Sequence, residues 1–193
     1  LVQDQAALAE QDCDLLFAPD VATLYPFGPA PRVSVRVPRI TDTLEGAHRP
    51  GHFDGMATVV CKLFNLVQPD VAVFGQKDFQ QMKVVERMVR DLGLPVKVVA
   101  APILRADDGL ALSSRNQYLS AEERARAPLI HDTLQKMREL LAQGHPWQAI
   151  EQAATARLAR AGFVPDYVAI RRAEDLAEPA EGEHAGLVAL VAA

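Results

Sequence analysis

The sequence predicts an α/β fold: a doubly wound parallel sheet, followed by a small α+β domain. Three observations carry this. DVAVFG (residues 70–75) and VKVVAAPIL (96–104) are continuous apolar runs, the pattern of parallel strands buried on both faces. Two segments of helical period alternate with them, one with Met56, Val59, Val60, Leu63, Phe64 and Val67 on one stripe, the other with Met82, Val85, Val89 and Leu92. After Leu104 the pattern changes to a polar loop, then two helices and two strands. The domain boundary is therefore expected near residue 104, giving domains 1–104 and 105–193.

In order along the chain, LVQDQAALAEQDCD reads as the tail of a helix entering a strand, DLLFAP (14–19), closed by proline. A loop rich in Pro and Gly, YPFGPAPR, follows. VSVRV (33–37) is alternating and β-branched, so it reads as a strand. The first amphipathic helix spans Gly55–Val67. The second spans Asp78–Leu92, with Gly93 as its stop signal. Helix and strand in alternation mean βαβ units and a parallel sheet. In RADDGLALSSRNQYLS, Asp108-Gly109 marks a turn. Ser120 opens a helix, with Glu123 completing a capping box, and the helix is expected to run to about Ala142. Another runs from about Pro146 to Ala161, stopped by Gly162. FVPDYVAIR and GLVALVAA are the last strand candidates. The chain has no initiator methionine or signal peptide and stops inside a strand pattern, so a piece of a longer protein, cut at both ends, is expected.

Composition bounds the function. The chain has 193 residues, 49% hydrophobic and 23% charged, enough for a sizeable core. A net charge of -5 argues against a general nucleic-acid or anionic-membrane surface and leaves room for a local basic pocket. No run approaches the roughly 18 apolar residues of a membrane-spanning helix. Cys13 and Cys61 have neither metal spacing nor a disulfide framework, which points to a reducing cytoplasm.

Three stretches carry chemistry. In FGQKDFQQ, a glycine, a lysine and an aspartate follow a central strand directly, where open α/β sheets hold ligands. A helix starting there offers free N–H groups and the positive end of its dipole to a phosphate or carboxylate. Gly75 lets a ligand approach the backbone. Lys77 adds a full charge, Asp78 accepts from ribose hydroxyls, and Gln81 projects from the same first turn. The competing reading makes Asp78 only a helix cap and Lys77 only a solvated charge. In LSSRN (112–116), Ser113, Ser114 and Arg115 form a polyphosphate clamp, or else an ordinary polar loop. In EGAHRPGHFDG (45–55), Arg49 stands at a helix entry, where a positive group can hold a carboxylate; His48 and His52 lack metal spacing, and a lone loop histidine is more often structural than catalytic. P-loop, GxGxxG and GxSxG motifs are absent.

Together, in this order and spacing, EGAHRPGHFDGMATVVCKLFNLVQPDVAVFGQKDFQQ and PILRADDGLALSSRNQYLS resemble the pantoate–β-alanine ligase family, and the similarity continues to GLVALVAA. The resemblance implies the nucleotidyltransferase fold shared with class I aminoacyl-tRNA synthetases, here its C-terminal half, followed by an α+β lid, with LSSRN as counterpart of their KMSKS signature. It implies that pantoate and ATP, with Mg2+, give a pantoyl adenylate and pyrophosphate, and that β-alanine then displaces AMP. It implies a cytoplasmic homodimer. Carried over by position, Gly75, Gln76, Lys77 and Asp78 line the ATP site, with Lys77 at the phosphates and Asp78 at the ribose. Leu104 offers its backbone to adenine. Leu112, Ser113, Ser114 and Arg115 cover the phosphates, and Lys77, Ser113 and Arg115 are the catalytic set. Gln81 holds pantoate, with Arg49 and His52 near the same pocket. No metal ligand is implied from these residues.

Departures accompany the match. Gln76 stands where the family usually has glutamate. The family's His-x-Gly-His motif and a second pantoate-binding glutamine fall before residue 1, and its last strand falls after residue 193. Two other readings therefore stay open: a non-catalytic fragment that keeps lid and dimerisation surfaces, and a superfamily relative acting on another acid or on tRNA.

Overall fold

The computed structural model describes residues 2–28 and 33–193. They fall in two compact units, Leu1–Ser34 and Val35–Ala193. The first holds α1 (Val2–Ala9) and α2 (Val21–Leu24), the latter capped where Thr23 N–H donates to Asp20 Oδ1 at 2.7 Å. The strand expected at 14–19 does not form. Its backbone joins no ladder, and Leu15 stays 82% exposed. An extended segment without a paired neighbour gains neither cross-strand hydrogen bonds nor a buried face. The last four residues of YPFGPAPR lie outside the described residues.

The strand expected at 33–37 is also irregular. Side chains take the backbone groups that a ladder would use: Val35 N–H donates to Thr58 Oγ1 at 2.9 Å, and the Val37 carbonyl accepts from Thr41 Oγ1 at 2.8 Å.

The second unit continues with α3 (Glu45–His48), α4 (His52–Val67) and β1 (Val71–Gly75). A 3-10 turn, Gln76–Asp78, leads into α5 (Phe79–Asp91), and β2 (Lys97–Ala101) follows. β1 and β2 pair in parallel, from Val71 opposite Lys97 to Gly75 opposite Ala101, with α5 as the crossover. α4 begins three residues before the expected Gly55, because Gly51 takes φ +79 and starts the turn there. α5 ends as the sequence predicts: Gly93 takes φ +62, and Leu94 N–H donates to the Val89 carbonyl. Met82, Val84, Val85 and Met88 are buried on its inner face, each stabilising the fold by about 1.5–3 kcal/mol. One expectation needs correction. β1 is buried on one face only: Ala72 and Phe74 pack inward, Phe74 edge-on to Phe64, while Val71 and Val73 are 51% and 65% exposed. An apolar run of this length marks a strand without reporting what covers its second face.

Beyond β2, residues 105–111 form a tight hairpin closed at Arg105–Ala111, and a 3-10 turn covers Ser114–Tyr118. Then come α6 (Ala121–Arg126), α7 (Leu129–Ala142), α8 (Trp147–Arg160), β3 (Tyr167–Arg172) and β4 (Leu187–Ala192). The Ser120–Glu123 capping box forms as expected. The single helix expected from Ser120 to Ala142 is two, because Pro128 has no N–H and its ring clashes with the preceding turn. β3 and β4 are antiparallel, Tyr167 opposite Ala192. One face of the pair, with Ala169 and Leu190, joins the core of α4 and α5. The other, with Ile170 and Val191, packs on Met137 of α7 and Ile150 of α8. That two-sided burial explains the unbroken apolar run LVALVA.

Gly46 sits where this core is tightest. A Cβ there would lie 2.0 Å from the Thr41 carbonyl oxygen, a backbone atom that cannot swing away. Gly46→Ala is expected to destabilise the protein by about 3 kcal/mol, read as a lower urea midpoint at unchanged slope. An unchanged midpoint would contradict this packing.

Candidate active site

β1 delivers its carboxyl end to Gly75, and the chain turns at once through Gln76, Lys77 and Asp78. Asp78 precedes α5 but its carboxylate caps nothing. Among the described residues its one ion-pair partner is Lys77, with Nζ 3.5 Å from Oδ1, and both side chains are well exposed, 39% for Lys77 and 65% for Asp78. No side chain caps the start of α5, and the Lys77 ammonium and the Asp78 carboxylate are open to solvent. Gln81 is half-buried at the first turn of α5.

Gln80 is the residue that sequence reading missed. It is 5% exposed, and its amide donates to the carbonyls of Ile40 at 2.7 Å and Thr43 at 2.8 Å while accepting from Glu45 N–H at 3.2 Å. This one side chain ties the segment before α3 to α5. The signal was available: Gln80 shares the face of Val84 and Met88, where a polar residue is out of place unless fully bonded. Glu45, so held, pairs with Arg49 at 3.2 Å.

Electrostatics draw the separate stretches together. The His52 imidazole is pulled below its ordinary value, by burial first and then by Arg49 and Arg115, against the opposing charge of Glu45. The EGAHRPGHF segment and the LSSRN loop thus act on one another. Tyr167, at the start of β3, has its phenol pushed up to about 12 by burial and by the carboxylates of Glu45, Asp166 and Asp78. Glu45 belongs to both environments. Because the His52 value is lowered in the folded state, its contribution to stability is present in full above the unfolded value of about 6.5 and is lost as pH falls through the folded value. In an NMR titration, His52 should have a midpoint below that of an exposed histidine, raised by Arg49→Gln and less by Arg115→Gln. No response to Arg115→Gln would separate the two stretches.

In the LSSRN loop, Ser113 Oγ accepts from Arg115 N–H at 3.2 Å, and Asn116 Nδ2 donates to the Ala111 carbonyl at 3.0 Å. Ser114 and Arg115 are exposed, and the Arg115 guanidinium has no ion-pair partner among the described residues. Ser113 and Ser114 line an open cleft of about 550 Å3 together with Leu112 and Arg124. The Leu104 carbonyl is already engaged by Leu112 N–H at 2.8 Å. Among the described residues no hydrogen bond or ion pair joins Lys77 to this loop; the two are separate groups on one unit. Among the described residues no three His, Cys, Asp or Glu side chains cluster as a metal site, and no helix is long and apolar enough to cross a membrane. Both cysteines are free thiols.

Fold and site define an α/β protein with an exposed Lys77–Asp78 pair at the carboxyl end of a parallel strand, the position at which open α/β sheets hold ligands. The family model for pantoate-beta-alanine ligase matches residues 1–193, and the chain belongs to that family. It is 53% identical over 194 residues to pantothenate synthetase of Pseudomonas fluorescens (strain Pf0-1), covering 100% of this chain and 68% of the relative. The crystal structure of pantothenate synthetase from Thermus thermophilus superposes with a TM-score of 0.85 at 51% identity, over 92% of this chain and 64% of that one. Pantoate-beta-alanine ligase from Francisella tularensis, complexed with beta-gamma ATP and beta-alanine, gives 0.73 at 32% identity, over 87% of this chain and 60% of that one. The chain thus spans about two thirds of the length of its relatives.

Proposed function

We propose that this chain carries most of the active site of an ATP-dependent ligase that joins pantoate to β-alanine through a pantoyl adenylate. The observation that carries the reading is the FGQKD turn: an uncapped helix N-terminus at a strand's carboxyl end, bearing exposed Lys77 and Asp78, in a chain matched to the family throughout. The ligands named for the Francisella tularensis structure supply the ATP and β-alanine.

In the first step a pantoate carboxylate oxygen attacks the α-phosphorus of ATP, and pyrophosphate leaves. Negative charge grows on the equatorial oxygens and on the departing group. Lys77, Ser113, Ser114 and Arg115 are the donors for that charge, and one such donor accounts for about 2.7–4 kcal/mol of barrier. Asp78 accepts from the ribose, Gly75 and Gln76 pass close to the nucleotide, and Leu104 with Leu112 flanks the base. Gln81 and Arg49 orient pantoate, beside His52, whose imidazole is harder to protonate than an exposed one. In the second step the β-alanine amine attacks the acyl carbon and AMP departs with the former carboxylate oxygen. Mg2+ bound with ATP would neutralise phosphate charge, and none of the residues above is assigned to hold it. Residues 1–104 act as the nucleotide-binding half of a nucleotidyltransferase-like domain and 105–193 as its lid. A cytoplasmic homodimer is part of the same reading, as are phosphate-stabilising histidines from a family segment outside this chain.

The test is pantoate-dependent exchange of labelled pyrophosphate into ATP. It is run on this chain and on the chain joined to the remainder of the Pseudomonas fluorescens relative. Exchange in the joined protein supports the ligase; folded protein with no exchange in either overturns it. Exchange only in the joined form assigns this chain alone the role of a non-catalytic fragment.

A further inference from the structure

The loop that bears Ser113–Arg115 is fixed by the hairpin before it, and that hairpin is gripped by α6 and α7. Ala106 N–H donates to the Leu110 carbonyl at 2.8 Å, closing the turn. Asp108 serves two partners at once. Its Oδ1 accepts from Leu110 N–H at 3.1 Å, inside the turn, and its Oδ2 accepts from Arg124 Nη1 at 2.6 Å, on α6. From α7, His131 lies against the turn: a Cβ on Gly109 would come within 2.5 Å of its ring, and Gly109 takes φ +90. Arg105 Nη1 closes the other side on the Gly109 carbonyl at 2.9 Å. Leu112 N–H then returns to the Leu104 carbonyl, so the turn sets where Ser113 begins.

The Asp108–Arg124 pair is exposed, 43% and 39%, and a pair of that kind contributes little to global stability. Its effect is local. Arg124 is the cation lining the cleft with Ser113 and Ser114, and Asp108 holds its guanidinium there. A phosphate-binding loop works only if its donors are already placed, and misplacement by about 1 Å costs on the order of 100-fold.

We propose that Asp108 and Arg124 are a positioning pair that sets the 112–115 loop for nucleotide phosphates from α6. This rests on the ligase reading above. Asp108 acts through the loop and through Arg124, whose guanidinium it holds at the cleft.

The test uses the chain joined to the remainder of the Pseudomonas fluorescens relative, with Asp108→Asn, Arg124→Gln and the double variant. Asn keeps an acceptor for Leu110 N–H, while its amide N–H2 faces the Arg124 donors, so the link to α6 is broken. Each single variant should raise KM for ATP about tenfold in pyrophosphate exchange, the size of one charge-assisted contact. KM for pantoate and the thermal midpoint should hold. Amide hydrogen exchange across 105–116 should quicken in each, and the double variant should be no worse than the worse single. Unchanged loop protection and KM in the singles, or losses that add in the double, overturn the proposal. If the parent shows no pantoate-dependent exchange, the ligase reading falls, and loop protection alone decides: unchanged amides in both singles reject the pair.

Discussion

Lys77→Met should lower pantoate-dependent pyrophosphate exchange by about 100- to 1000-fold while leaving the fold intact. In the role proposed for it, Lys77 is a full charge aimed at developing phosphate charge, where a single fixed donor contributes about 2.7–4 kcal/mol. The lack of a stability cost follows from exposure. Among the described residues Lys77 pairs only with Asp78, at 3.5 Å, and so loose and solvated a pair stabilises nothing measurable. Met keeps the length and removes the charge. The loss should fall on kcat, with KM for pantoate little changed, because the charge that Lys77 meets appears only as the bond to pyrophosphate breaks. A variant with wild-type exchange would return Lys77 to the status of a surface charge.

Gln80→Ala should be the most damaging substitution on α5 outside its apolar face, costing about 3 kcal/mol of stability. Three hydrogen bonds are lost, and the buried carbonyl of Ile40 and the partly buried Thr43 carbonyl and Glu45 N–H are left without their partner. Activity should fall along with it, since Glu45 and Arg49 hang from the segment that Gln80 holds. Gln80→Glu separates the parts: the acceptor for Glu45 N–H remains while both donors are lost, so its loss should be at least as large. Chemical denaturation reads the first effect, and KM for pantoate, in assays corrected for the folded fraction, reads the second. A Gln80→Ala protein as stable as its parent would contradict the bonding pattern.

How much was legible in the sequence depends on how local each signal was. The stripe of α5, its Gly93 stop and the Ser120–Glu123 box are set within a few residues, and they fold as read. Pro128 was equally local and was passed over, so one helix became two. DLLFAP and VSVRV look like strands because residue type reports β-propensity. A strand needs a partner, and in VSVRV the side chains of Thr58 and Thr41 take the backbone groups instead. The site divides in the same way. Lys77, Asp78 and the LSSRN loop announced themselves by charge in a loop. Tyr167 and the Asp108–Arg124 pair join residues 16 or more positions apart, and no spacing rule brings such residues together.

The central claim is an acyl adenylate, and the direct measurement is oxygen transfer. Pantoate labelled with 18O in both carboxylate oxygens is turned over with ATP and β-alanine by the chain joined to the remainder of its Pseudomonas fluorescens relative. The account predicts one 18O in AMP and one in the amide carbonyl of the product, because the oxygen that attacked phosphorus leaves with the phosphate. AMP without label, with 18O in phosphate or pyrophosphate instead, would mean a different activated acid and would contradict the roles given to Lys77, Ser113 and Arg115.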